Sequence, residues 1–186
     1  MFKSKEKIRK EFLEKRKNLS EFEVEELSKK FCQKFLKQSL NLENKIIAGY
    51  LPFGNEVNIL PLLKILKEKY NCKICLPVLI EKEKPMIFRE WDLDKKSLIE
   101  SKLFSSVLEP YQNASELIPE IILVPAVVVD VYDNRIGRGG GCYDRTLAFL
   151  KQANSKIQTI AAVYDFQIVK EKLPVNEFDY KVMILL

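Results

Sequence analysis

Between residues 3 and 17 the apolar side chains Ile8, Phe12 and Leu13 recur among charges at the spacing of an amphipathic helix. Lys5 and Arg9 are four residues apart and share one face of it. Ser20 followed by Glu23, with Leu19 before and Val24 after, has the form of a capping box with a hydrophobic staple. A second helix therefore starts there and buries a stripe of Val24, Leu27, Phe31 and Phe35. From Lys45 onward the pattern changes to short apolar runs separated by helical stretches. Ile46 to Leu51 reads as a strand, Pro61 to Tyr70 as a helix, Lys73 to Leu76 as a strand, and Met86 to Trp91 as a strand after the turn-forming Pro85. Residues 92–120 carry no clear period. Ile121 to Val124, continued by Val127 to Val129, is the most hydrophobic run and predicts a strand buried on both faces at the sheet centre. A helix over Tyr143 to Lys151 and a strand over Thr159 to Tyr164 follow. Such alternation predicts one α/β domain over residues 1–186, a three-layer sandwich whose central, mostly parallel sheet has helices on both faces.

Composition narrows the chemistry. With 186 residues, 47% apolar and 31% charged, the chain suits a globular domain with a real core. It has no apolar run long enough to span a bilayer, and Met1-Phe2-Lys3-Ser4-Lys5 lacks the apolar stretch of a signal peptide, so a cytoplasmic protein without a membrane partner is expected. Cys32, Cys72, Cys75 and Cys142 are too few and scattered for a disulfide framework. Cys72 and Cys75 have C-x-x-C spacing, but inside a strand-like run they read as strand positions. Histidine is absent, which excludes Ser-His-Asp and Cys-His nucleophiles, His-ligated metals and imidazole proton shuttles. The net charge of +5 points to an anionic partner without identifying it.

Four of the six glycines fall within Arg135-Ile136-Gly137-Arg138-Gly139-Gly140-Gly141-Cys142-Tyr143-Asp144-Arg145. A strand, a glycine loop and a helix start can turn several backbone N–H groups toward one point, with the positive end of the helix dipole behind them; such a point binds phosphate. The loop matches neither G-x-x-x-x-G-K-[ST] nor G-x-G-x-x-G. Arg135, Arg138 and Arg145 offer forked donors for phosphate oxygens, and Asp144 a hard oxygen for Mg²⁺.

The loop resembles the R-L-G-x-G-x-G-Y-Y-D segment of the 5-formyltetrahydrofolate cyclo-ligase family. Other segments agree in order. Lys5 and Arg9 are similar to the family's K-x-x-x-R helix, and Tyr50-Leu51 with Glu56-Val57 to its first strand and turn. Leu108-Glu109-Pro110 resembles its E-P turn, Val124-Pro125 with Asp130 its V-P-G-x-x-F-D strand, and Pro174 to Asp179 its closing P-V-N-E-x-D segment. Departures are Ala126 for glycine, Cys142 for tyrosine and Phe178 for a residue that is often polar. The resemblance implies a scaffold like that of phosphosugar isomerases and CoA transferases, and an enzyme that converts 5-formyltetrahydrofolate and ATP to 5,10-methenyltetrahydrofolate, ADP and phosphate.

It also implies roles. Lys5, Arg9 and the loop residues Arg135, Ile136, Gly137, Arg138, Gly139, Gly140, Gly141, Cys142 and Tyr143 would hold ATP. Asp144 and Asp179 would hold Mg²⁺. Leu51 and Glu56, with Arg138, Gly139, Gly140, Gly141 and Cys142, would touch a folate, polyglutamylated or not, while Arg138, Asp144 and Arg145 would carry the chemistry. A monomer without nucleic-acid partners is expected. Two other readings of the same residues are a phosphosugar or CoA-ester enzyme, which predicts no ATP dependence, and a nucleic-acid-binding module, which predicts salt-sensitive binding although no such motif is present. Trp91, Phe88 or Phe53 could stack on a pterin, but lone aromatics in strand-like runs read as core.

Overall fold

The computed structural model describes residues 4–105 and 107–186. Two helices lead, α1 (Lys5–Lys17) and α2 (Glu21–Leu36), followed by β1 (Ile46–Ala48), α3 (Leu60–Tyr70), β2 (Lys73–Val78) and β3 (Ile87–Glu90). Then come β4 (Leu98–Glu100), β5 (Leu108–Pro110), β6 (Ile121–Pro125), β7 (Val128–Asp130), β8 (Arg135–Ile136), α4 (Cys142–Ala153), β9 (Gln158–Ala162) and β10 (Ile168–Val169).

The main sheet has the order β3-β2-β1-β6-β9; all its pairings are parallel except β2 with β3. Its strands alternate cleanly between two cores. Ile47, Ile74, Leu76, Ile121, Leu123 and Ile160 face α2 and α3, where they meet Phe31, Phe35, Leu62, Leu63 and Leu66. Ala48, Cys75, Ile122, Val124 and Ala161 face Leu147 and Leu150 of α4 and Val182 of the C-terminal segment. The three-layer expectation is met, and this period of two also disposes of the C-x-x-C pair: Cys72 and Cys75 are free, buried and on opposite faces of the sheet.

The capping box at the start of α2 is present in full, with the Ser20 and Glu23 side chains reciprocally bonded to backbone N–H groups. Pro77 is tolerated inside β2 because it lies beyond the last residue paired with β1, Cys75, and is flanked there only by β3. The outer edge of β9 is covered by the C-terminal segment, where Ala161 N donates to Met183 O at 2.8 Å and Met183 N to Thr159 O at 2.8 Å.

Three details differ from the sequence reading. The run from Ile121 to Val129 is not one strand: β6 stays in the main sheet, whereas β7 joins a small sheet of order β10-β7-β8. A continuous apolar run carries no signal for a change of sheet. The middle of the main sheet is β1, with β6 beside it, and β1 ends at Ala48 rather than at Leu51. Residues 92–120 contain an antiparallel pair, β4 with β5, whose strands are too short to show a period. Trp91 is buried, its indole N–H donating to Asp94 O at 2.9 Å.

Candidate functional site

The glycine loop is delivered by a hairpin, not by the central strand. Between β7 and β8 the fully buried Asp130 accepts four hydrogen bonds: Tyr132 N and Asn134 N on Oδ1 at 2.9 and 3.0 Å, and Asn134 Nδ2 and Leu173 N on Oδ2 at 2.8 and 2.7 Å. That saturated carboxylate fixes the turn and ties it to the chain after β10. The loop then leaves β8 and enters α4 through Gly139 at φ 108° and Gly141 at φ 65°, conformations that favour glycine. Gly141 is the N-cap and supplies no side-chain bond, so the first N–H groups of α4 are left to an incoming acceptor.

Helix α1 packs Phe12 against Val127, Val128, Ile136 and Leu173 and thereby brings its cationic face over the loop. Arg9 Nε donates to Gly137 O at 2.8 Å. Lys5 pairs with Asp179, which also accepts Asn176 N at 2.6 Å and so closes the 176–179 turn. Behind the loop, buried Arg135 donates from Nη2 to Asp144 Oδ1 at 2.6 Å, and Tyr180 N donates to the same oxygen at 3.0 Å. Arg145 folds back on the loop, Nη2 donating to Gly140 O at 3.0 Å. The buried Nε groups of Arg135 and Arg145 have no acceptor among the described residues. On the opposite wall Glu56 accepts Phe53 N at 3.1 Å and faces Arg16 Nη2 at 3.5 Å and Arg138 Nη1 at 3.9 Å, with the Arg138 guanidinium 4.3 Å above the Phe53 ring. Burial, reinforced by the Glu56 charge, pushes the Tyr143 phenol well up, so it stays protonated as a donor.

These groups line one cavity of about 980 Å³, which holds Lys5, Arg9, Glu56, residues 135–145 and Asp179. Among the predicted site residues Leu51 is the exception: it packs, half-buried, against the main core. Phe104 and Phe178 also line the cavity, and neither was singled out as a binding residue by pattern. Phe104 lies in the segment without periodicity. Arg16 was missed too, although it stands seven residues beyond Arg9 and eleven beyond Lys5, on the same helix face.

A cavity rich in guanidinium groups and uncapped amides suits a polyanion. For Mg²⁺ the donors are limited: no cluster of three or more potential ligands occurs among the described residues. Asp144 and Asp179 nevertheless both line the cavity, and Mg²⁺ delivered with a triphosphate takes one or two carboxylates plus phosphate oxygens and water. The residues fit an ion that arrives with its nucleotide, provided Arg135 and Lys5 share their carboxylates with it.

Comparison with known proteins bears on the same chain. The 5-formyltetrahydrofolate cyclo-ligase family profile matches residues 1–186. The 5-formyltetrahydrofolate cyclo-ligase of Escherichia coli K12 is 31% identical over 138 residues, 72% of either chain. That of Haemophilus influenzae is 28% identical over 179 residues, 94% of this chain and 92% of its own. Among solved structures, 5,10-methenyltetrahydrofolate synthetase from Aquifex aeolicus superposes with a TM-score of 0.76 at 28% identity, over 96% of this chain and 86% of its own. The Mycoplasma pneumoniae synthetase, at 24% identity and a TM-score of 0.74 over 98% and 97%, shares the fold. A profile match from the first residue to the last, over a fold that gathers the loop, the α1 cations and the closing turn into one cavity, places this chain in the 5-formyltetrahydrofolate cyclo-ligase family, whose members are ATP-dependent ligases.

Proposed function

We propose that the family's ring closure takes place in this cavity with a definite division of labour. Lys5, Arg9 and the amides from Gly137 to Tyr143 bind the triphosphate. Asp144 and Asp179 would hold Mg²⁺, which would supply positive charge against the triphosphate. Glu56 and the loop around Arg138 to Cys142 face the folate. The observation that carries this reading is the convergence of α1 and the uncapped start of α4 on one cavity from chain positions far apart.

The chemistry needs no imidazole. The formyl oxygen on N5 attacks the γ-phosphorus, forming an O–P bond as the bond to ADP breaks. N10 then adds to the activated carbon, the C–O bond breaks with release of phosphate, and loss of the N10 proton leaves the methenyl bridge. Such transfer is mainly a matter of alignment and charge neutralisation, the part Arg138 and Arg145 play from either side of the glycines. The folate is taken up from solution, with or without added glutamates, by a soluble monomer.

Absorbance at the methenyl-folate band, followed after mixing protein, 5-formyltetrahydrofolate, Mg²⁺ and ATP, tests this. Growth of the band that requires ATP and falls by about 10³-fold or more in Asp144→Ala is expected, since losing one charge partner of a phosphoryl-transfer site has effects of that order. Full activity in Asp144→Ala would remove that carboxylate from the mechanism.

A further inference from the structure

Arg16 belongs to none of the motifs described above, yet it is 4% exposed in the last turn of α1. Lys5, Arg9, Phe12 and Arg16 follow one another at intervals of four, three and four residues, a single stripe on the helix. One helix face thus delivers Lys5 to the closing turn, Arg9 to the glycine loop and Arg16 to the opposite wall, the last about 10 Å beyond Arg9 along the axis at 1.5 Å per residue. There Arg16 Nη2 donates to Glu56 Oε1 and Nη1 to Ala126 O, both at 3.5 Å, and that carbonyl also accepts Gln167 Nε2 at 3.2 Å. Glu56, 7% exposed, therefore has two guanidinium neighbours: Arg16, buried and held at both ends of its fork, and Arg138, half in solvent and resting on Phe53.

Folding alone is a poor reason for such a pair. Removing two charges from water costs about as much as their attraction returns, and apolar replacements of similar volume are often neutral or stabilising. Burial depresses the Arg16 pKa while Glu56 pushes it back up, and a guanidinium remains charged at neutral pH. The arrangement makes sense if Glu56 must keep its counter-ion while Arg138 leaves. Without Arg16, Arg138 would be the remaining cation beside that carboxylate and would be drawn onto it.

We propose that Arg16 is a positioning residue for the reaction: as the fixed partner of Glu56 it aims that carboxylate into the cavity for the N–H donors of the folate ring, and it leaves Arg138 free for the transferred phosphoryl group. This rests on the reading that Glu56 faces folate. The test is steady-state kinetics on Arg16→Met, Arg16→Lys, Glu56→Gln and the double variant Arg16→Met with Glu56→Gln, alongside thermal melting. Arg16→Met raises KM for 5-formyltetrahydrofolate about tenfold and lowers kcat, with KM for ATP changed less than about twofold; it lowers Tm by stranding the buried Glu56 carboxylate, a loss the double variant recovers. Arg16→Lys recovers part of the loss. The double variant is no worse in folate KM than Glu56→Gln alone, because Arg16 acts through Glu56. An unchanged folate KM in Arg16→Met, or additive losses in the double variant, would overturn the inference. So would a rise of both KM values together with a fall in Tm that Arg16→Lys does not repair, for then the role is structural. If Arg16→Met does not fold, Arg16→Lys decides by the same folate KM. An unaltered folate KM in Glu56→Gln would sink the assignment of Glu56 and this inference with it, whereas an effect there combined with silent Arg16 variants would sink this inference alone.

Discussion

Two hollows open at opposite ends of the main sheet and differ little in size, about 980 Å³ at the carboxyl ends of the parallel strands and about 820 Å³ at their amino ends. The second is bordered by Ile46, Lys73 and Glu120, where β1, β2 and β6 begin, and by Trp91. Its charges largely answer one another. Lys45 Nζ lies 2.7 Å from Glu120 Oε1, Glu120 Oε2 accepts Ile46 N at 3.1 Å, and Lys67 donates to Asp92 O at 2.7 Å. In the first, an uncapped helix start meets three loop arginines, two of which keep a buried Nε without an acceptor among the described residues. Volume therefore does not distinguish a site. The difference comes from topology: at the carboxyl ends the chain runs into loops and helix N-termini that aim N–H groups at one point, whereas at the amino ends it arrives from helix C-termini and turns. Trp91, a possible pterin platform by sequence, sits at the second hollow and so away from the glycine loop.

The sharpest way to break this contrast is to remove one cation from each hollow. Arg138→Ala should lower kcat by about 10³-fold or more, the scale of an arginine that stabilises a phosphoryl-transfer transition state. Lys73→Ala, on an exposed side chain at the other end, should leave kcat and both KM values within about twofold and change stability by no more than about 0.5 kcal/mol. Comparable losses in both variants would mean that the second hollow also takes part.

A smaller effect is expected from the backbone. Each hollow has a residue at positive φ on its wall, Gly139 at 108° and Asn71 at 51°. Gly139→Ala strains the loop by about 1–3 kcal/mol, and because that strain falls on the amides proposed to receive phosphate, KM for ATP should rise about tenfold with little change for folate. Asn71→Gly relaxes the backbone but loses the 2.7 Å bond from Asn71 Nδ2 to Asn44 Oδ1, so stability should move by less than about 1 kcal/mol and the kinetics not at all. Calorimetric titration with ATP and thermal melting separate the two; an unchanged ATP affinity in Gly139→Ala would show that the loop amides do not bind it.

The same contrast explains what could be read from the chain and what could not. The α1 face was legible because Lys5 and Arg9 repeat at helical spacing, and the start of α2 because Ser20 and Glu23 carry their own geometry. The glycine loop was legible because such a density of glycine has few uses other than close backbone approach. The three-layer fold followed from the alternation of strands and helices. What the sequence hid was long-range. Nothing local tells Val127 to leave the main sheet, or Leu51 to turn into the core rather than the cavity, and the pairing of β4 with β5 rests on strands of three residues each. Nothing local singles out Arg16, because its partner Glu56 lies forty residues later.

The thiols provide the mildest perturbation, again with one in each hollow: Cys142 on the loop and Cys72 at the start of β2. Burial pushes the Cys72 thiol up and the Cys32 thiol up to about 11, so at pH 8 only about one Cys32 in a thousand is the reactive thiolate. Cys75, buried within the sheet, is pushed up further still by the same desolvation. Cys142 alone is only half-buried, with its Sγ 3.8 Å from Arg145 Nη2 in the glycine loop. Iodoacetamide at pH 8 should therefore modify Cys142 well before the other three, as peptide mass mapping would show, and Mg-ATP should slow that labelling several-fold in the proposed arrangement, in which the triphosphate covers the loop. Labelling of Cys72 first would mean that the second hollow is the more open one. Preferential labelling of Cys142 at a rate indifferent to Mg-ATP would leave the thiol accessible but move the nucleotide away from the start of α4.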